Sequence, residues 1–355
     1  MIKKPGVLAL HSFAGLVSGL FILLMSVSGS VLVFHEELDQ WQYPEIVAQE
    51  KIPFAGTDSC YRSIQHQFPH AQINSCMLPE SISQPYIISC YDSSFGKGEQ
   101  VMQVFLHPQS AAVIGLRGGS NDGKRNRMGW LGSFHNSFQL GKKGEWLLGV
   151  FGLLFLLSLV TGLIYYRKNI LSVLLFRPYV FRKSNLHQII GVYALIFNLM
   201  IAITGIWMQR YVFKPSFYAP ETEYVHTIKP SPPLHFSIEA AIQGIQKKYP
   251  DFSGYVVYFA PTKKSKTIVY GSRKQNAFIH AKKYADAVFL DSTGKITKTA
   301  FVNEIIPENR YDIINAQIHY GKFGGLPVKI LYALFGLTGA LLSITGFLIW
   351  MRKRN

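Results

Sequence analysis

Acidic residues are scarce in this chain. Asp and Glu number 20 against 36 Lys and Arg, a formal net charge of +16 over 355 residues. Cysteine is scarcer: Cys60, Cys76 and Cys90 are all there are, and they share one segment. So few, without a CxxC or a Cys/His zinc spacing, exclude a disulfide framework and a zinc finger. Two readings of the trio stand: one disulfide with a thiol left over, or three small buried hydrophobes. No GxGxxG follows a strand-like stretch, which excludes a Rossmann dinucleotide site.

Apolar residues, by contrast, come in long runs. Four are long enough to cross about 30 Å of hydrocarbon, which takes about 20 residues. They are Phe13–Phe34, Trp146–Tyr166, Ile189–Trp207 and Val328–Trp350. The first follows Lys3 and Lys4, yet it is too long for a signal-peptide core. It also lacks a small-x-small cleavage site before His35, so it reads as a retained helix. The basic clusters Lys3-Lys4, Arg167 to Lys183 and Arg352 to Arg354 fall on one side, the cytoplasmic one by the positive-inside rule. The expectation is an inner-membrane protein with both termini cytoplasmic. Its division is span one at 1–35, a periplasmic insert at 36–144, spans two and three with a short cytoplasmic loop at 145–211, a second periplasmic insert at 212–325, and span four with its tail at 326–355. Of the 36 Lys and Arg, 24 lie in the inserts, where they attract an anionic ligand or lipid head groups, although 19 of the 20 Asp and Glu lie there too. Nucleic acid is not an expected partner.

The chain repeats itself. At an offset of 176, Leu10-His11 falls on Leu186-His187, Gly15 on Gly191, and Ser28-Gly29 on Thr204-Gly205. At an offset of 184, His135 falls on His319, Gly152 on Gly336, and Thr161-Gly162 on Thr345-Gly346. Equivalent spans run in the same direction, so the repeat implies a pseudo-twofold axis along the membrane normal. Each insert reads as a small α+β module: a helix over Thr57–Phe68 or Ser237–Tyr249 stopped by Pro, then strands. The strands are Tyr86–Cys90 and Val101–Leu106 in the first insert. In the second they are Tyr255–Phe259, Lys266–Gly271 and Ala287–Leu290, before a turn at Asp291-Ser292-Thr293-Gly294.

Of 11 histidines, four obey the repeat: His11 with His187, and His135 with His319. Two histidines on facing helices can supply both axial ligands of a haem iron. His11, Gly15, Ser18, Ile22, Met25 and Gly29 share a helix face, as do His187, Gly191, Ala194, Asn198, Ile201 and Gly205. Small residues there leave room for a flat macrocycle, or serve close helix packing alone. The outer pair poses a length problem. From His135 to Gly162 would span about 40 Å as one helix, so either the helix breaks at the intervening glycines or the pair sits at the outer interface. His35 is expected to be an interfacial residue, and His66, His70, His107, His226, His235 and His280 surface residues of the inserts. Arg117, Arg125, Arg127 and Trp130 read as a docking surface for an anionic substrate or as a solvated basic loop.

At these residues the chain resembles the PepSY-associated transmembrane family, which includes inner-membrane ferric-siderophore reductases. The likeness rests on Leu10-His11, Gly15 and Ser28-Gly29 with their repeat, and on His135 and His319 with Thr161-Gly162 and Thr345-Gly346. It implies an α-helical four-span bundle with two periplasmic PepSY-like inserts. It also implies two b-type haems on His11, His187, His135 and His319, and an oxidoreductase passing electrons to a periplasmic ferric siderophore. The first insert departs from a clean PepSY pattern. No electron donor is encoded, so a quinol or a cytoplasmic reductase must act. The rivals are a non-enzymatic module binding a peptide or protease, a reductase of another metal complex, and a transporter. The last would need discontinuous spans with polar groups at mid-depth, for which Asn198 is the one candidate.

Overall fold

The structure is a computed structural model and describes residues 4–40, 54–92, 101–118, 126–178, 185–218, 229–259, 266–274 and 283–352. Lys3, Arg125, Arg182, Lys183, His226, His280, Lys353 and Arg354, singled out above, lie outside the described residues. The chain divides into two compact units. A helical unit takes Met1–Glu36, Leu131–Pro220 and Asn315–Asn355; a sheet unit takes Glu37–Trp130 and Glu221–Ile314.

In chain order the elements are α1 (Lys4–Leu32), α2 (His35–Gln40), α3 (Thr57–Gln67), β1 (Gln72–Met77), β2 (Tyr86–Tyr91), β3 (Val101–Leu106) and β4 (Val113–Arg117). There follow α4 (Arg127–Ser137), α5 (Lys142–Tyr166), α6 (Ile170–Leu174), α7 (Leu186–Tyr193) and α8 (Leu195–Met208). The last are α9 (Ile238–Lys248), β5 (Phe252–Tyr258), β6 (Thr267–Arg273), β7 (Asp286–Leu290), β8 (Ile296–Ala300), α10 (Pro307–Tyr320) and α11 (Gly325–Arg352).

Three helices, α1, α5 and α11, are long and apolar enough to cross a membrane. The run expected to form one straight third span is instead α7 and α8, bent by 64° between them. Ala194 at the break has φ −92° and ψ 0°, which ends α7, and its N–H bonds back to Ile190 O and Val192 O. The Tyr193 hydroxyl holds the corner by donating to Val173 O at 3.0 Å, a carbonyl near the end of α6. Neither Pro nor Gly marks the spot, so the usual sequence signal of a kink is missing. Taken as one broken span, the pair makes a fourth. α1 packs on both α5 and α11, α8 packs on α5, and α7 on α11. Contact between α1 and α11 is close because Gly336 and Gly339 face Ser30 and Ser26, where a Cβ would overlap the serine Oγ.

The expected pair of separate insert modules is one body. Each insert gives a helix and four strands, but β1 pairs antiparallel with β5, and the eight strands form one sheet of order β4-β3-β2-β1-β5-β6-β7-β8. Joining β1 to β5 leaves neither as an open edge. Helices α3 and α9 meet end to end in function. Asp58 of α3 accepts from Ile238 N at 2.8 Å, and Glu239 of α9 accepts from Thr57 N at 3.1 Å. Each helix therefore satisfies orphan N–H groups of the other with a carboxylate at its positive end. At the turn after β7, Asp291 Oδ1 accepts from the N–H groups of Thr293 and Lys295 while Gly294 takes φ 82°.

Cys60, Cys76 and Cys90 are free and buried in the core of this sheet unit with Ile64, Ile88, Met102 and Val257. Burial pushes the Cys60 and Cys90 thiols from the ordinary 9.0 up to about 12. Folded-state values above the unfolded value mean that stability is complete below about pH 9 and falls as pH rises through the folded values. The native protein at pH 8 is expected to resist maleimide, and to take up three equivalents once unfolded in denaturant. Fast labelling of the native chain would contradict this burial.

Candidate functional site

The four histidines in register all belong to the helical unit, and the local sequence places each one. Asn185 starts α7 with a capping box: its Oδ1 accepts from Gln188 N at 3.0 Å and its own N–H donates to Gln188 Oε1 at 3.1 Å. That fixes His187 in the first turn. Asn126 caps α4 by accepting from Gly129 N at 2.8 Å, and Pro307 with Glu308 opens α10. α4 ends where Phe138 and Gln139 take φ 51° and 61°. α5 begins after Gly141 at φ 54°, whose repeat equivalent Gly325 has φ 63°. The helix thus breaks at the glycines, which removes the length problem and turns His135 back toward α1.

Each histidine packs against the glycine of a Ser/Thr-Gly pair on another helix, and in three of the four the adjoining hydroxyl also reaches the ring. A Cβ on Gly29 would lie 3.0 Å from the ring of His135, and one on Gly205 3.2 Å from His319. A Cβ on Gly162 would lie 3.1 Å from His11, and one on Gly346 3.3 Å from His187. The neighbouring hydroxyls hold the rings. His135 Nδ1 lies 2.9 Å from Ser28 Oγ, His319 Nδ1 2.9 Å from Thr204 Oγ1, and His187 Nδ1 3.0 Å from Thr345 Oγ1. His11 Nδ1 lies 2.8 Å from the main-chain oxygen of Ser158.

The tautomer follows from these partners. Ser28, Thr204 and Thr345 each give their hydroxyl proton to a carbonyl four residues back, at 2.7 Å in every case. Their oxygens are then left to accept, as is Ser158 O, an arrangement that favours the proton on Nδ1 of all four imidazoles. Nε2 keeps its lone pair, and no described residue hydrogen-bonds to it. The sequence shows the four Ser/Thr-Gly dipeptides as repeat markers; their service to the histidines, and that of Ser158, appears only once the helices are packed.

Two cavities receive these groups. One of about 330 Å³ is lined by His11, Gly15, Gly162, His187, Gly191 and Gly346. The other, of about 460 Å³, is lined by His135, His319, Met25, Gly29, Asn198 and Gly205 among others. The shared face of α1 runs along both: His11 to Ile22 borders the first and Ile22 to Gly29 the second. Ile22 and Phe155 border both, so one aromatic side chain stands at the partition. The His11 and His187 ring centroids are 6.0 Å apart at an interplanar angle of 70°. Asn198, buried, donates to Thr338 Oγ1 at 3.1 Å.

The remaining expectations divide. His35 opens α2, borders the larger cavity, and donates from Nδ1 to Leu32 O at 3.1 Å. Burial first, then Lys322, lowers its pKa. His66, His70 and His235 are exposed, and His107 is half-buried. Arg127 and Trp130 are exposed, which suits a docking surface and a solvated loop alike. Arg117 is not: it is buried, donates to both carboxylate oxygens of Asp39 at 2.6 Å and to Gln103 at 2.7 Å, and is structural. Asp39 lies too far along the chain for sequence to announce the pair.

Residues 8–353 match the family model described as the PepSY-associated TM region. No curated protein matches the chain.

Proposed function

The chain belongs to the PepSY-associated TM region family, and from that premise we propose that it is a di-haem b electron carrier of the inner membrane, reducing a ferric siderophore on the periplasmic side. The observation that carries this reading is the four histidines arranged as two pairs on two cavities, each with its Nδ1 bonded to a neighbouring helix and its Nε2 left over. His11 and His187 would hold one haem, His135 and His319 the other. The His11 and His187 rings border one cavity with their centroids 6.0 Å apart, near enough for both to hold one metal. Among the described residues no group of three or more His, Cys, Asp or Glu could hold a bare metal ion. A metal held by two of these histidines would take its remaining ligands from elsewhere, which a macrocycle would supply. Both volumes fall within about 300–1,000 Å³, the usual range of ligand pockets, and glycine lines both where a flat ring would pass.

Haem held by these histidines would supply a one-electron couple. The chain's own groups do the rest. Each Nδ1–H bond fixes a ring's orientation and raises the basicity of its Nε2. The apolar walls exclude water. A quinol or a cytoplasmic reductase supplies electrons, and ferrous iron, held more weakly by oxygen donors than ferric, is released from the siderophore. The ring nitrogens bond to other helices rather than to the ends of their own, which disfavours a binding module whose histidines only cap helices.

Protein purified in detergent is expected to give two b haems per chain in a pyridine haemochrome assay. Once reduced by dithionite, it should be reoxidised by ferric siderophore with ferrous iron trapped by a chelator. A haem-free chain from haem-replete cells would sink the proposal.

A further inference from the structure

The two cavities differ in charge. Among the described residues, no Asp, Glu, Lys or Arg lines the His11–His187 cavity. One lines the His135–His319 cavity: Lys322. It follows His319 by three residues, past Gly321 at φ 66°, and its ammonium lies 5.7 Å from the Tyr320 ring centroid. Glu36 lies 3.7 Å from Lys322 and 3.9 Å from Lys329, so the three together carry one net positive charge. The repeat does not supply this cluster. At the offset of 184, Lys322 corresponds to Phe138 and Lys329 to Glu145; at 176, Glu36 corresponds to Val212. The scaffold that seats the histidines is symmetric, and the charge is not.

A cation beside a redox centre favours the form carrying less positive charge, which is the reduced one, and Lys322, its side chain 36% exposed, does so through a partly screened field. We infer that Lys322, restrained by Glu36, makes the His135–His319 site the more oxidising of the two and so gives electron transfer its direction. The inference rests on the haem reading. All four ligands are imidazoles, so ligand type does not distinguish the sites, whereas the charge at Lys322 does. Lys322 acts here through the field at the site and is not a ligand.

The test is a spectroelectrochemical titration of the purified holoprotein, with haem content measured on the same samples. Wild type should show two midpoint potentials, the higher being the one missing in His135→Ala. Lys322→Gln should lower that potential, Lys322→Arg should keep it, and Glu36→Gln should raise it, with the other potential unmoved. Opposite signs matter, because a local distortion has no reason to follow charge. Should Lys322→Gln lose its haem, the rise in Glu36→Gln decides alone. Two bound haems whose potentials ignore these changes, or shift alike in both variants, would overturn the inference and leave the haem reading standing. Wild type without haem would overturn both.

Discussion

His135→Ala and His11→Ala should each retain one haem of two, and not the same one. The geometry makes the sites separable. His135 and His319 border one cavity, His11 and His187 the other, and only side chains such as Ile22 and Phe155 border both. On the haem reading each site takes two protein ligands, so removing one takes half of the protein's hold on the metal, and among the described residues no group of three or more His, Cys, Asp or Glu could hold it instead. The surviving site keeps its Nδ1 bonds, to Ser158 O and Thr345 in one variant and to Ser28 and Thr204 in the other. A bound group stabilises the fold by about 2.7 kcal/mol at a hundredfold excess over its Kd, so each variant should also melt earlier. His35→Ala is the control. His35 borders the larger cavity, but it has no mate in the repeat, where Tyr211 stands in its place, and both haems should remain. Difference spectra of the three variants check this, and loss of both haems from either ligand variant would refute two independent sites.

The pairing of the four histidines was legible in the sequence because the pattern around them occurs twice. A lone histidine near an apolar run says little. Four at two offsets, each with glycines in register, define faces, and a helix face of small residues around a histidine has few physical uses. What could not be read depends on contacts that leave no local mark. The bend at Ala194 has no Pro or Gly to announce it. The helices carrying His135 and His319 are short, and their sequences, RMGWLGSFHNS and PENRYDIINAQIHY, lack a clear apolar stripe. They are helices because caps and packing make them so. Three strands were missed for a similar reason. QINSCM and ITKTA are largely polar, and VIGLR carries a glycine, so pairing rather than propensity decides their state. The joining of β1 to β5 links residues about 180 positions apart, a distance over which hydrophobic pattern carries no register.

Replacing the seat should do nearly what replacing the ligand does. Gly162→Val and Gly205→Val are each expected to weaken one haem while every histidine stays in place. A Cβ at Gly162 would lie 3.1 Å from His11 Cε1, and one at Gly205 3.2 Å from His319 Cε1. Alanine at either position needs the ring to yield by a few tenths of an ångström, and valine needs more. The rings cannot yield freely, because each Nδ1 is tied to a partner on the same helix as its glycine: Ser158 for His11 and Thr204 for His319. Overpacking of this kind costs about 1–3 kcal/mol, about 5- to 150-fold in affinity, with alanine at the low end. Gly19→Ala is the matched control. It lies on α1 with nothing within 4 Å of its would-be Cβ, so it should bind two haems as wild type does. Haem titration into apoprotein measures the series. Equal affinity across it would mean that the glycines serve only helix contact. A graded loss confined to the site each glycine faces would mean that the repeat preserves the Ser/Thr-Gly pairs for the histidines they hold.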